Sequence, residues 1–275
     1  MAERAGAEYE VFAIRYAWRD ARRSDHFIGG DPHDGPMPMD YFIWVIRNTD
    51  SGGKGRTVVV DTGFTAEVSA RRGRQHLRCP IETLSALGID PDAVDDVVLT
   101  HLHYDHVGNF HKFARARFHL QTREMGFVTG PYMRYPKFGH SFEVEDVVGM
   151  VKLNFKGRVG QHDGEFELAP GIALHHVGGH TPGLQIVRVM TRRGWVVLAS
   201  DAAHYYEHMQ KNRFFTQAFN LGDMVDGYRT CERLAASPDH IVPGHDPLVM
   251  KLYPAVSPEL EGIIVRLDAA PRKEG

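Results

Sequence analysis

The segment Thr100–His106 (THLHYDH) constrains this chain most, because it places four metal-ligand side chains within six residues directly after an apolar run. That run, Asp96–Leu99 (DVVL), has the composition of a buried strand. On extended backbone, residues two apart point the same way, so His101 and His103 share a face while the next two ligand residues begin the following turn. Histidine is the commonest metal ligand, and four ligand types this close together predict a metal site.

Three further ligand residues follow later apolar runs in the same manner. His180 lies in a Gly-rich turn (GGHTPG) after one predicted strand, Asp201 ends another (WVVLAS), and His245 follows a short apolar run (VPGH). Because each ligand comes just past a strand, all of them can lie at one edge of a sheet sandwich.

The remaining pattern predicts an α/β protein with many strands and fewer helices. Helix-like segments are Ile81–Leu87 and Met224–Ala236, and two long segments, Arg22–Met39 and Gly130–Gly164, are expected to be irregular loops, either functional or packed over the core. No shift of composition marks a linker, so residues 1–275 are expected to form one domain. Strand-like runs rich in Val, Ile and aromatic residues are Tyr41–Arg47, Thr57–Val60, Asp96–Leu99, Arg117–Gln121, Ile172–His176, Leu184–Val189 and Trp195–Ala199.

Composition excludes several classes of protein. The net charge of −3, from 32 basic and 35 acidic residues, offers no strong field to nucleic acid or to an anionic membrane. The longest apolar run, Tyr41–Ile46, has six residues and cannot span a bilayer. The N-terminal residues lack the pattern of a secretory signal, so we expect a cytoplasmic protein. Cys79 and Cys231 are too few for a disulfide scaffold and are expected to be ordinary thiols. Nothing indicates the oligomeric state.

With these ligands in this order, the chain resembles the metallo-β-lactamase superfamily, whose pattern is HxHxDH followed by a lone His, an Asp and a terminal His. The resemblance spans roughly Tyr41 to His245 and includes the family's Asp-Thr-Gly at residues 61–63. It implies an αββα sandwich with a dinuclear metal site at one edge of the sheets. It also implies that one ion is held by His101, His103 and His180, the second by Asp105, His106 and His245, and that Asp201 bridges them. These ligands suit two divalent ions, with Zn²⁺ expected first and Fe, Mn or Co as alternatives.

Other residues near this pattern are expected to support it. Asp61 is not a ligand in the family pattern, and we expect it to orient a metal-bound histidine or fix a turn. His175 and His176 are adjacent on a strand, so at most one can face the site, and both are expected to be structural. An apolar groove for an acyl substituent could be formed by apolar residues in candidate loops, and these residues could equally belong to the core. They are Phe27, Ile28, Met37, Met39, Phe138, Phe142, Phe214 and Phe215.

A two-metal site implies hydrolysis, because two cations lower the pKa of a shared water towards neutrality. We expect the metal-bridging hydroxide to attack an ester-type carbonyl carbon while the ions polarise the carbonyl and steady the departing alkoxide. Asp105 is then expected to pass a proton to that alkoxide.

Within the superfamily the chain resembles the N-acyl-homoserine lactone lactonases in length and in its long N-terminal segment. Zinc β-lactamases of the main group have Cys where Asp201 stands, and the 30 residues after His245 leave no room for a glyoxalase II helical domain. In the lactonase group a Tyr three residues past the bridging Asp contacts the substrate. Here that residue is His204, with Tyr205 next, so either side chain is a candidate contact. The predicted partner is therefore a small-molecule lactone or other ester.

Three alternatives to the lactonase interpretation remain open. A phosphodiesterase or nuclease of the same superfamily could use the same two-metal site, and so could a thioesterase. A metal-stabilised binding protein that retains the fold is the non-enzymatic alternative.

Overall fold

The computed structural model describes residues 7–48 and 55–272, in which two β-sheets pack face to face. The strands of the first sheet are β1 (Tyr9–Arg19), β2 (Met39–Asn48), β3 (Thr57–Val60), β4 (Gln75–His76), β5 (Asp96–Val98), β6 (Arg117–Gln121), β7 (Val159–His162) and β13 (Ile264–Arg266). Their spatial order is β13-β1-β2-β3-β5-β6-β7, with β4 paired to β1. The second sheet contains β8 (Glu165–Ala169), β9 (Ile172–His176), β10 (Gln185–Thr191), β11 (Gly194–Ser200) and β12 (Ile241–Pro243), in the order β12-β11-β10-β9-β8.

Helices cover the outer faces of both sheets. The α-helices are α1 (Arg23–His26), α2 (Ala66–Arg71), α3 (Tyr104–Val107), α4 (Thr122–Val128), α5 (Pro136–Gly139), α6 (Val144–Phe155), α7 (Tyr206–Gln210), α8 (Leu221–Leu234) and α9 (Leu248–Leu252). Short 3₁₀ helices lie at Glu82–Leu87, Pro91–Ala93, Phe110–Lys112, Pro131–Arg134, Pro238–His240 and Pro258–Leu260.

The alternation of side chains along β1 shows how the layers form. Val11 and Ala13 point to the second sheet and join a core with residues such as Leu174, whereas Phe12 and Ile14 point to the opposite side and join the helical layer. A third cluster packs α8 against the outer face of the second sheet. Because both sheets are buried on one face by the other sheet and on the outer face by helices, the predicted αββα sandwich is confirmed.

All seven predicted strands are present, with ends that differ by at most two residues. The sequence pattern missed β1, β4, β7, β8 and β13, and the helix-like segment Ile81–Leu87 forms a 3₁₀ helix that Gly88 ends in a left-handed conformation. The expectation of an irregular Gly130–Gly164 was wrong, because this segment contains the 12-residue helix α6 as well as β7. Exposed apolar residues on α6 obscure its helical period, with Val144 and Phe155 facing solvent.

No helix among residues 7–48 and 55–272 combines the length and apolar character that crossing a membrane requires.

Candidate metal centre

Strand ends of both sheets bring the predicted ligands to one edge of the sandwich. The segment after β5 carries His101 to His106, while the turn between β9 and β10 carries His180. Asp201 follows β11 and His245 follows β12, and these two strands are parallel neighbours that pair at Ser200 and Pro243. A Cβ on Gly244 would lie 2.7 Å from the Ser200 carbonyl oxygen, so only glycine lets the two strand ends approach this closely.

The first ligand segment turns into the short helix α3, which was not predicted. His103 precedes the helix on extended backbone, and Asp105 and His106 lie in its single turn. The Tyr16 hydroxyl donates a hydrogen bond to the Asp105 carbonyl oxygen (2.9 Å), and the Thr62 amide donates one to the His106 carbonyl oxygen (2.7 Å). The backbone of this ligand loop is thus fixed by the first sheet.

The two oxygens of Asp201 face different histidines. Its Oδ2 lies 3.2 Å from His180 Nε2 and 3.9 Å from His101 Nε2, and the His103 Nδ1 atom is 2.9 Å from His180 Nε2. Its Oδ1 lies 3.0 Å from His245 Nε2 and 3.4 Å from His106 Nε2. Two tetrahedral ligands at zinc distances are about 3.3 Å apart, so both halves of this cluster have the spacing of a metal site.

Asp105 belongs to the second half of the cluster. Its Oδ2 atom lies 3.7 Å from His106 Nε2 and 3.8 Å from His245 Nε2. The ligand atoms of His101, His103 and His180 lie within 4.8 Å of one another, and so do those of Asp105, His106 and His245. The structure therefore brings together all seven residues of the predicted ligand set.

Hydrogen bonds on the far side of each ring leave the facing nitrogen free to bind a cation. His106 donates from Nδ1 to Asp61 Oδ2 (2.7 Å). His180 donates from Nδ1 to the Gln217 carbonyl oxygen (2.6 Å), and His245 donates from Nδ1 to the Asp40 carbonyl oxygen (2.8 Å). In the neutral form of each ring, which is the form that binds a metal ion, the Nε2 lone pair points into the cluster.

Three buried polar atoms at the centre of the cluster have no hydrogen-bond partner among residues 7–48 and 55–272, namely His101 Nε2, His106 Nε2 and Asp201 Oδ1. Buried polar atoms are almost always paired, because an unpaired one costs about 1–3 kcal/mol. A cation between these atoms would satisfy all three. The donor set and its unpaired atoms therefore fit two divalent ions.

The pKa values within the cluster are set by burial and by the mixture of imidazoles and carboxylates. Burial lowers the pKa of His101 well below its usual value, which keeps its ring neutral. Burial opposes the charge on His106, but the Asp61 and Asp201 carboxylates outweigh it and raise the pKa of that ring. Burial likewise opposes the charge on Asp201, but His245 and its neighbours hold the pKa of that carboxyl well below its usual range. The Asp201 carboxylate is therefore ionised.

Asp61 and Glu124 support the ligand loops from beneath. Asp61 accepts hydrogen bonds from the Thr100 amide (2.7 Å) and the Thr100 hydroxyl (2.8 Å) in addition to His106. Glu124 accepts from the Leu102 amide (3.0 Å), the Thr181 hydroxyl (2.7 Å) and the Gly183 amide (3.1 Å), so it joins the first ligand loop to that of His180. Sequence reasoning expected the role of Asp61 but missed Glu124, which carries no motif.

His204 and Tyr205 differ in where their side chains point. The His204 Nε2 atom is 2.9 Å from Asp201 Oδ2, and the ring lines the cavity above the cluster. The Tyr205 hydroxyl is buried beside His26 Nε2 (3.0 Å) and donates to the Pro38 carbonyl oxygen (3.1 Å). Tyr205 is not among the residues that line the cavity.

The cavity above the cluster has a volume of about 220 Å³. Ligand residues from both halves form its floor, and three arginines, Arg19, Arg72 and Arg74, line its walls. Of the residues expected to form an apolar groove, Met39 lines this cavity and Phe138 lines a crevice of about 20 Å³ beside it, while Phe142 and Phe215 are buried. The walls of the larger cavity are more cationic than the sequence pattern indicated.

His175 and His176 lie on β9 away from this cavity. His175 Nδ1 is 3.6 Å from Glu165, and His176 Nε2 is 2.8 Å from the Pro182 carbonyl oxygen. Cys79 and Cys231 are free thiols.

Comparison with known proteins agrees with the fold. The N-acyl homoserine lactonase AiiB of Agrobacterium fabrum is 34% identical over 181 residues, covering 58% of this chain and 62% of that protein. An N-acyl homoserine lactonase of a Bacillus species is 29% identical over 131 residues, 47% of each chain, so this chain matches about half to three fifths of the length of these relatives.

Solved structures share the fold over nearly the whole chain. A quorum-quenching N-acyl homoserine lactone lactonase superposes with a TM-score of 0.72 at 18% identity, covering 88% of this chain and 94% of that one. Residues 38–245 match the family described as the metallo-beta-lactamase superfamily. The chain belongs to the metallo-β-lactamase superfamily.

Proposed function

We propose that this protein is a hydrolase that uses two divalent metal ions, Zn²⁺ in the first instance, to open a lactone ring. The proposal rests on the position of Asp201, because its two carboxylate oxygens face separate groups of histidine nitrogens at 3.0–3.9 Å. The relatives named N-acyl homoserine lactonase support a lactone as the substrate. N-acyl homoserine lactones are the first substrates to test, and their hydrolysis would make the protein quorum-quenching.

The two halves of the cluster indicate which residues would hold each metal ion. His101, His103 and His180 would hold one ion, Asp105, His106 and His245 the other, and Asp201 would bridge them. When bound, the ions would supply Lewis acidity and a nucleophilic water at neutral pH. The residues of the chain then have to orient the ester and move protons.

Asp105 is placed to move the proton. Its carboxylate forms part of the cavity floor, with Oδ2 between His106 and His245. In our proposal it accepts the proton released as water attacks the carbonyl carbon and delivers that proton to the alkoxide that leaves as the ring C–O bond breaks. A carboxylate within reach of both groups is the usual carrier for such a step.

We propose that His204 positions the neighbouring Asp201 carboxylate and contacts the substrate. Its Nε2 atom meets Asp201 at 2.9 Å, and its ring, stacked on Phe215 at 3.8 Å between centroids, forms part of the cavity wall. The Tyr205 hydroxyl already bonds the Pro38 carbonyl oxygen, so we propose that Tyr205 supports the loop below the cavity.

The test is metal content and lactone turnover measured together. We expect close to two metal ions per chain by elemental analysis and ring opening by the zinc-loaded protein on short and long N-acyl homoserine lactones and simple γ-lactones. Asp201→Ala and His106→Ala should lose both metal and turnover, whereas Asp105→Asn should lower kcat by about 100-fold or more. Asp96→Asn, which alters a half-buried carboxylate outside the cavity, is the control.

Turnover of a bis-aryl phosphate or a thioester in excess of every lactone would instead assign the centre to a phosphodiesterase or thioesterase. Protein that binds no metal ion would overturn the proposal, and full activity of Asp105→Asn would remove the proton-transfer role.

A further inference from the structure

Arg19 lies at the end of β1 with its side chain on the wall of the cavity above the cluster. Its Nε atom is buried and has no hydrogen-bond partner, and its guanidinium makes no ion pair with any residue in 7–48 or 55–272. By contrast Arg15, on the same strand, binds Asp40 at 2.8 Å. A half-buried guanidinium without an anion is costly unless a ligand supplies one.

Arg74 is a second guanidinium on this wall, and it pairs with no carboxylate in the described part of the chain. Its Nε atom donates to the Tyr104 hydroxyl (3.0 Å) and its Nη1 atom to the Arg72 carbonyl oxygen (2.9 Å), both neutral acceptors. The third arginine is already paired, since Arg72 binds Glu143 at 2.7 Å and packs over the Tyr104 ring at 4.0 Å. Two of the three lining arginines are therefore available for an anionic ligand.

The two carboxylates that line the same cavity form no ion pair with Arg19 or Arg74. They are Asp105 and Asp201, both placed in the ligand cluster, where imidazole nitrogens surround them. Two divalent ions would more than neutralise this pair and leave the cavity positive. A cavity with this charge favours an anionic ligand.

We propose that the lactone opened at this centre carries a carboxylate, which Arg19 and Arg74 bind while the ring lies over the metal cluster; this inference rests on the proposed function. A planar guanidinium matches the two oxygens of a carboxylate, and such bonds are about twice as strong as neutral ones. If a neutral substituent filled the cavity, both guanidiniums would lose contact with water without gaining a negative charge to balance their own.

The test compares two five-membered lactones that differ only in charge, one bearing a carboxylate on the ring substituent and the other the corresponding primary amide. For the zinc-loaded wild-type protein we expect kcat/KM for the carboxylate to exceed that for the amide by about 10- to 100-fold. The preference should shrink as ionic strength rises, because salt screens the attraction.

Variants of the two arginines test whether these residues cause the preference for the carboxylate lactone. Arg19→Gln and Arg74→Gln should each raise KM for the carboxylate by about 10-fold or more, leave kcat within about threefold, and leave the amide unchanged. Arg229→Gln, which removes an exposed charge paired only to Asp226, controls for the change in net charge. Metal content of each variant should equal that of the wild type.

Three results would count against the inference. Equal turnover of carboxylate and amide would overturn it while leaving the lactonase proposal intact, and so would a carboxylate preference that survives in Arg19→Gln/Arg74→Gln. No turnover of either lactone, or of any N-acyl homoserine lactone, by protein carrying two metal ions would overturn the proposed function and this inference with it.

Discussion

Replacing Asp61 with Asn should weaken the binding of one metal ion and spare the other. Asp61 has a left-handed backbone (φ 62°), a conformation that Asn adopts readily, so Asp61→Asn changes the side-chain chemistry without adding backbone strain. The wild-type carboxylate accepts three hydrogen bonds, two from Thr100 and one from His106. An amide has a single acceptor atom and must lose part of this set.

Both orientations of the side-chain amide that Asp61→Asn introduces are unfavourable. With its nitrogen towards the Thr100 amide, two donors face each other. With its nitrogen towards His106, that ring must accept at Nδ1 and carry its proton on Nε2, the atom that faces the metal. Loss of one buried, charge-assisted hydrogen bond costs about 1.5–3 kcal/mol, and changes to such outer partners lower metal affinity by about 10- to 100-fold.

Stepwise titration of metal-free protein against a chromophoric chelator would measure this loss. We expect one ion to bind Asp61→Asn with wild-type affinity and the other about 10- to 100-fold more weakly, because His180 and its Gln217 contact are untouched. Asp96→Asn is the matched control, since Asp96 accepts from His119 Nε2 at 2.9 Å in a pair outside the cavity. Wild-type affinity for both ions, or equal weakening of both, would refute the argument from the His106 tautomer.

Two further predictions concern stability. Gly183→Ala should destabilise the protein by about 3 kcal/mol in urea denaturation, because the new Cβ would lie 2.2 Å from the backbone nitrogen of Glu124. Gly126→Ala, in open space on α4, is the control and should be neutral or stabilising by about 0.5–1 kcal/mol. Equal effects of the two substitutions would contradict this prediction. Burial lowers the pKa of His208 to about 3, so below pH 6.5 the unfolded chain binds a proton that the folded chain does not. As the pH falls from 6.5 to 4.5, the free energy of unfolding of the metal-free protein should therefore decrease by about 1.4 kcal/mol per pH unit because of this group. If the slope of unfolding free energy against pH were unchanged in His208→Gln, His208 would not be its cause.

The sequence was sufficient to predict that the seven candidate ligand residues converge, because these residues follow short apolar strands. Strand ends in a layered fold collect at one edge, so the position of His180, Asp201 and His245 after β9, β11 and β12 already implied their convergence. Asp61 could likewise be anticipated from its place after β3.

The residues that the sequence did not predict act through contacts that have no local pattern. Glu124 reaches the two ligand loops from α4, and Arg19 and Arg74 line the cavity from the end of β1 and the segment before β4. The orientation of Tyr205 depends on His26, which lies 179 residues away in the chain. Helix α6 was missed because its exposed apolar residues blur the period on which a prediction depends.

The distribution of the ligands along the chain has a consequence for biosynthesis. His101 and His245 are separated by more than half of the polypeptide, and Asp201 comes from a different sheet than the first ligand loop. With the ligands proposed above, a nascent chain that has exposed only the HxHxDH segment would offer an incomplete metal site, which β11 and β12 would complete only on joining the second sheet. Metal binding would then be a late step that follows folding, and a cell starved of the ion should accumulate folded, metal-free protein.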